Sequence, residues 1–269
     1  MALATGYLPR RENKAWLKEA ASPFPFTSFE ASQAPDEIDH RPWLQVENQG
    51  PVSSCVGHGD SSTLEVCNFY DTGGEVINLS RMYAYLTAQK ASGLFGRDQG
   101  ATISGALAAN ANDGICLEKT FPYPGKYVTR ITKEAHDEAS QHKLIRHTPM
   151  RTYEDCMAWL QTGQGGIVIG VRWVSSLINT TGVIESISGR SSGFHCMAIL
   201  GYSQRKDSRG RKYLWMVNSH GKGWGNAGWA EVAPAVIAQW CKRTDWEELI
   251  GASDLQEYGT REVTTFDMI

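Results

Sequence analysis

Gln49-Gly50-Pro51-Val52-Ser53-Ser54-Cys55 is the stretch whose reading decides the fold. Its cysteine stands behind two serines and opens a helix-period segment from Ser54 to about Asp71. Val56, Thr63, Leu64 and Cys67 share one face of that segment. A thiol at a helix start lies among backbone N–H groups and in a dipole that stabilises a thiolate. Gln49, across the Gly-Pro turn, can swing its amide beside the sulfur and donate to a developing oxyanion. Gly57 and Gly59 each weaken a helix by about 1 kcal/mol relative to alanine. Residues so small in the first turn predict that something packs tightly against it.

Outward from this segment, Ser80 caps a second helix running to about Ala91, and a third runs from Ser104 to Asp113 and stops at Gly114. Lys133 to His147 reads as a polar, exposed helix, with His136, His142 and His147 in solvent. Thr152 caps another helix that turns Cys156, Trp159 and Leu160 inward. The period then changes. Ile167 to Val171, His195 to Tyr202 and Tyr213 to Asn218 read as strands, the last two joined by a charged hairpin over 204–212. Trp229 to Val232 reads as a return strand. Helices first and strands later predict an α+β protein with two unlike lobes.

Two further segments carry chemistry: Gly193-Phe194-His195-Cys196-Met197-Ala198 and Val217-Asn218-Ser219-His220-Gly221-Lys222-Gly223-Trp224-Gly225. His195 opens an apolar strand and Asn218 closes its hairpin neighbour, so the two can meet at one end of a sheet. Together with the Gln49–Cys55 block, the order Cys, His, Asn resembles the papain family of cysteine peptidases. His195 lies 140 residues after Cys55, within the family's spacing of about 130–150. Asp39-His40-Arg41, Leu79-Ser80, Cys116-Leu117-Glu118 and Phe121-Pro122-Tyr123 are similar to the family's linking segments, and the resemblance covers about residues 38–233.

The resemblance implies a papain-like two-lobe α+β fold, with a helical left lobe, an antiparallel β-barrel-like right lobe and an active-site cleft between them. It places an N-terminal arm at residues 1–38, the helical lobe with the nucleophile at 39–130, the β-rich lobe with His and Asn at 131–243, and a C-terminal tail at 244–269. It implies a thiolate–imidazolium pair of Cys55 and His195, with Asn218 orienting the imidazole and Gln49 binding the oxyanion. Gly100 and Ala101 are implied to bond the substrate backbone, Phe194 to line the cleft and Trp224 to flank its primed side. The activity implied is hydrolysis of peptide bonds through an acyl-enzyme. The alternatives are acyl transfer to an amine on the same fold and a catalytically weak peptide-binding homologue. Neither cofactor nor metal is implied.

Three positions depart from the family pattern. Val52 stands where a disulfide cysteine is usual, and Val56 where a tryptophan follows the nucleophile. Both point to prokaryotic or phage-type members without disulfides. His220 replaces the tryptophan that shields the Asn–His hydrogen bond in the family, which predicts a wetter bond and reduced or pH-sensitive activity. The short arm has no room for the long inhibitory prosegment of secreted relatives; it either covers the cleft or leaves the enzyme needing no activation.

Composition narrows the function classes. The 269 residues carry a net charge of −3, and the basic cluster from Arg205 to Lys212 is interrupted by Asp207. That argues against nucleic acid as a partner and leaves a peptide or protein substrate. No apolar run approaches the roughly 20 residues of a membrane span, and Met1 to Ala21 lacks an apolar signal core. Six cysteines without a Cys-x-x-Cys pair fit a reducing compartment, so the expected location is cytoplasmic (a host cytoplasm for a phage protein). Cys55 and His58 make an isolated pair without a second pair at metal spacing. Asp71-Thr72-Gly73 reads as a turn. Gly223-x-Gly225-x-x-Gly228 lacks the βαβ context of a dinucleotide fingerprint. Oligomeric state is not legible in these features.

Overall fold

Cys55–Asp71 (α1) is buried on every side from Cys55 to Asn68, well beyond the single apolar face that its spacing predicts. A helix enclosed all round is a core element, and the rest of the chain is arranged about it. The computed structural model describes residues 5–9, 34–242 and 247–255. The parts of the predicted arm at 1–4 and 10–33 and of the tail at 244–246 and 256–269 lie outside the described residues.

Arg81–Ala91 (α2) and Ile103–Asn112 (α3) pack beside α1. Their ends follow side-chain capping: Ser80 Oγ accepts from Tyr83 N–H and Thr102 from Gly105 N–H. Lys133–Ala139 (α4) is shorter than expected. The chain turns at Ser140 and continues as Leu144–Pro149 (β1), so the helix predicted over Lys133 to His147 is corrected to a helix and a strand. His142, expected in solvent, is buried by that turn. Tyr153–Gln161 (α5) starts at Thr152 in a reciprocal capping box with Asp155 and buries Cys156, Trp159 and Leu160.

The strands are β1, Ile167–Val174 (β2), Val183–Ile184 (β3), Ser191–Lys206 (β4), Lys212–Val217 (β5), Trp229–Val232 (β6) and Glu248–Leu255 (β7). They form one sheet in the order β1-β7-β2-β4-β5-β6-β3, antiparallel except for the β3–β6 pair. The sheet is not closed into a barrel. Residues 248–255, assigned to a tail by sequence, form an interior strand between β1 and β2.

Alternation along the strands separates two cores. Cys196, Val168, Ile250 and Ala252 face the cluster built with α1, α2 and α3. Met197, Ile199, Ile169 and Leu249 face the cluster built with α5 and Pro234–Cys241 (α6). The fold is thus a helical lobe packed on a sheet that carries a second core behind it.

Glycine sets how closely these layers approach. A Cβ on Gly57 would lie 2.4 Å from Arg81 O and 2.8 Å from Tyr85 N, and one on Gly59 would lie 2.9 Å from Met197 O. Gly57→Ala is therefore expected to lower unfolding free energy by about 1–3 kcal/mol, read in urea titrations. Gly223→Ala, where no heavy atom lies within 4 Å of the added carbon, should stay within about 0.5 kcal/mol.

Candidate active site

The first residue of α1 is Cys55, delivered by the turn at Gly50 (φ +58) and followed directly by helix. Its partners come from the sheet. Val171 on β2 pairs with His195 on β4, and Ala198 pairs with Val217 on β5, the residue before Asn218. The hairpin therefore carries His195 and Asn218 to neighbouring positions.

His195 Nε2 and Asn218 Oδ1 are 2.7 Å apart. Ser219 N–H also donates to Oδ1 at 2.8 Å, which identifies that end of the amide as the oxygen. An amide oxygen only accepts, so Nε2 carries the imidazole proton and Nδ1 presents a lone pair. Nδ1 is buried and has no hydrogen-bond partner. His220 stacks on the His195 ring with centroids 4.5 Å apart at 25°, and Trp173 covers it from another side at 4.5 Å. His195 is fully buried and Asn218 is 2 % exposed. The expectation that His220 leaves this bond wetter is corrected here: the stacked rings keep water out.

Gln49 is buried and held by both lobes. Its Nε2 donates to Val52 O at 2.8 Å, its Oε1 accepts from Ser219 Oγ at 2.7 Å, and its backbone N–H donates to Ser219 O at 2.8 Å. Tyr123 donates its phenol to Gln49 O at 2.9 Å. Gln49 and Asn218 are thereby linked through adjoining residues.

Residues 5–9 lie across the cysteine. Tyr7 forms a parallel bridge to Ala101. Ala101 N–H donates to Gly6 O at 2.8 Å, and Leu8 N–H donates to Ala101 O at 2.9 Å. A Cβ on Gly6 would lie 1.9 Å from Ser53 O, and one on Gly100 would lie 2.1 Å from Gly6 O. Only glycine at both positions permits this approach. Gly100 (φ +91) is held by its N–H to Tyr85 Oη and its carbonyl to Gln89. Phe194 meets the Tyr7 ring edge-on at 6.3 Å. Trp224 is buried, with its indole N–H on Leu177 O at 2.9 Å.

Cys55 is fully buried beneath this segment. Burial pushes its thiol up to about 12, while backbone N–H groups of Cys196, Gly6 and Val56 act in the opposite direction. The contact with Cys196 N–H places the thiol beside the residue that follows His195. Burial, with the like charge of His220 added to it, pushes the His195 imidazole down to about 3. Both shifts favour neutral forms. The covered site therefore holds a neutral thiol and a neutral imidazole, with no hydrogen bond between the two. The thiolate–imidazolium pair implied by the resemblance is not the form that this arrangement favours.

The structure thus gathers Gln49, Cys55, His195 and Asn218 at the junction of the lobes, with Gly100, Ala101 and Phe194 around residues 5–9 and Trp224 behind Trp173. Sequence reasoning missed Trp173, Ser219, Tyr123 and Tyr7. Trp173 had a signal, since alternation from Val171, the partner of His195, puts it on the same face. Among the described residues, no group of three or more His, Cys, Asp or Glu side chains is placed to hold a metal.

Comparison with known proteins agrees with this architecture. Fruit bromelain of Ananas comosus is 27 % identical over 78 % of this chain and 58 % of its own length. Cathepsin Q of Rattus norvegicus is 27 % identical over 82 % and 65 %. The chain thus spans about three fifths of the length of these relatives. Among solved structures, xylellain, a cysteine protease from Xylella fastidiosa, superposes with a TM-score of 0.68 at 18 % identity, covering 93 % of this chain and 91 % of that one. The bromelain protease from Ananas comosus in complex with the E64 inhibitor gives 0.64 at 22 % identity, covering 81 % and 99 %. These likenesses show the two-lobe α+β fold. The model of the papain family cysteine proteases matches residues 34–245, most of the chain, and the chain belongs to that family.

Proposed function

We propose that the chain is a cysteine-type endopeptidase acting on peptide or protein substrates, with Cys55 as nucleophile and His195 as acid–base partner. The observation that carries this reading is that an extended peptide segment, residues 5–9, already runs over the Cys55 thiol and is hydrogen-bonded to Ala101. A groove that takes a peptide backbone beside a cysteine and an oriented imidazole supports peptide-bond chemistry.

Departure of residues 5–9 readmits water and weakens the burial that holds both groups neutral. The proton of Sγ then passes to the lone pair of Nδ1, while Nε2–H stays on Asn218. The thiolate attacks the scissile carbonyl. The oxyanion is received by Cys55 N–H and the Gln49 amide, whose fixed position costs no reorganisation. His195 protonates the leaving amine from Nδ1, then draws a proton from water to hydrolyse the acyl-enzyme. Gly100 and Ala101 bond the substrate backbone, Phe194 lines the groove and Trp224 backs the wall of rings around His195. The reading extends to a reducing, cytoplasmic setting, supported by six buried cysteines that all carry free thiols.

Peptidyl epoxide labelling followed by mass spectrometry tests the assignment. Cys55 should be the labelled residue, and peptide hydrolysis should vanish in Cys55→Ala and fall by about 10²–10⁴ in His195→Ala. Labelling without hydrolysis would favour acyl transfer to an amine; no labelling at Cys55 in any form of the chain would favour a peptide-binding protein. Gly6→Ala, whose added carbon collides with Ser53 O, should expel the segment and raise the Cys55 labelling rate.

A second expectation concerns His220. Its charge opposes protonation of His195, so His220→Phe removes a like charge while keeping a ring in the stack. The His195 pKa should rise, read as a shift of its imidazole NMR titration to higher pH. An unchanged titration would rule out coupling between the two rings.

A further inference from the structure

Ser54 stands at the N-cap of α1, where a serine ordinarily turns its hydroxyl back onto the first turn. It makes no such bond. Its Oγ lies 2.7 Å from the phenol of Tyr123, and that phenol lies 2.9 Å from Gln49 O. On the inner side, Ser54 O is 3.0 Å from His58 Nδ1 and also accepts the His58 backbone N–H at 3.1 Å. His58 is 2 % exposed, and its ring meets that of Tyr123 edge-on at 4.8 Å. The chemistry described above gives no part to this buried histidine, one turn beyond the nucleophile.

Donor and acceptor types fix every proton in the set. A carbonyl only accepts, so Tyr123 gives its single proton to Gln49 O. Tyr123 Oη then accepts from Ser54 Oγ–H. Ser54 O likewise only accepts, so the His58 ring carries a proton on Nδ1, with Ser54 Oγ a second, longer acceptor at 3.4 Å. Burial, against the bond to Ser54 and with the like charges of Arg81 and His220, pushes that imidazole down to about 3, so the ring holds one proton. His58 Nε2 is therefore a lone pair, and among the described residues it has no partner. His58 is also one wall of a cavity of about 10 Å³ that Glu47, Ser62, Asn218 and Ser219 line with it. That is room for one water, which can donate to Nε2. The His58 tautomer is the reverse of that of His195.

We propose that His58 is a positioning residue of the oxyanion site: through Ser54 and Tyr123 it fixes the Gln49 backbone, and with it the amide that receives the oxyanion. The chain of bonds runs in one direction, from His58 to Ser54, from Ser54 to Tyr123 and from Tyr123 to Gln49. Tyr123 clamps both ends of the turn that joins oxyanion donor to nucleophile, and His58 holds the Ser54 end from within the helix. The inference rests on the peptidase reading above.

The test uses the full chain. With isotope-labelled histidine, the ring nitrogen shifts should report a proton on Nδ1 for His58 and on Nε2 for His195, the His58 signals being those lost in His58→Asn. Tyr123→Phe should lower kcat for peptide hydrolysis about tenfold, the worth of one hydrogen bond. KM should change little, because the oxyanion forms only beyond the ground state. Alkylation of Cys55 by a peptidyl epoxide does not pass through a carbonyl oxyanion, so its rate should change far less.

His58→Asn sets an amide nitrogen where Nδ1 lies and should keep most of the hydrolysis rate. His58→Leu should lose as much as Tyr123→Phe, and the two together should lose no more than either alone, since they break one chain. A general loosening of the fold would slow hydrolysis and alkylation together and would not separate asparagine from leucine. A His58 ring protonated on Nε2, hydrolysis and alkylation slowed alike or both unmoved by Tyr123→Phe, or His58→Asn as damaged as His58→Leu overturns the proposal. If the native chain neither labels at Cys55 nor hydrolyses peptide, the peptidase reading itself fails and takes this role with it. If it does both, those outcomes judge His58 alone.

Discussion

The rest of the structure depends on one close approach, the first turn of α1 wedged between α2 and β4. Two missing side chains permit it, at Gly57 against Arg81 O and at Gly59 against Met197 O and Cys196 Sγ. Because that turn begins at Cys55, the same contact that closes the core carries the thiol to the strand bearing His195. Packing density leaves no freedom to relax such a contact by a methyl group without moving backbone. Site geometry and core geometry are therefore one constraint. A buried ion pair strengthens the wedge further along: Glu65 on α1 meets Arg81 on α2 at 2.7 Å and also accepts from Leu79 N–H at 2.8 Å. A pair so enclosed fixes register more than it adds stability.

The electrostatics of the site follow from cover. Cys55 lies at a helix start with the backbone N–H groups of Cys196, Gly6, Val56 and Cys55 itself directed at its sulfur, all of which favour a thiolate. Burial opposes them and wins while Gly6 lies over the sulfur. His195 experiences the same competition in reverse: Asn218 favours the charged ring, and burial with His220 disfavours it. Chemistry and its suppression thus use the same groups, and access of water decides between them. His220 matters here because it replaces a neutral indole, by family resemblance, with a ring that can itself carry charge while filling the same shielding role.

Much of this was legible in sequence, and the residues show why. The helix starts at Ser80 and Thr152 are local, set by one side chain reaching one N–H, and such signals survive in any tertiary context. The Gln49–Cys55 and Asn218–Trp224 segments are dense in residues with special conformational or chemical demands. Other features depended on distant partners. Leu144–Pro149 was absorbed into a helix because its charged residues blurred the alternation, and it became a strand only by pairing with residues more than a hundred positions later. Glu248–Leu255 suffered the same ambiguity. Its glycine and small residues weaken any strand signal, and what makes it a strand is the pair of edges offered by β1 and β2.

The arm, which the sequence offered as a cover for the cleft, and the tail, which it left without a role, meet at one point. Tyr7 from the first described segment and Glu248 from the last are joined by a hydrogen bond in the groove. Neither is readable alone, because a lone tyrosine in aperiodic sequence and a lone glutamate beside a weak strand carry no pattern. Their meeting comes from the sheet, which inserts β7 next to β2 and so sets the Glu248 carboxylate level with Gly170. That late strand leaves Cys55, His195 and Asn218 where they are, since those three are held by α1, β4 and the end of β5.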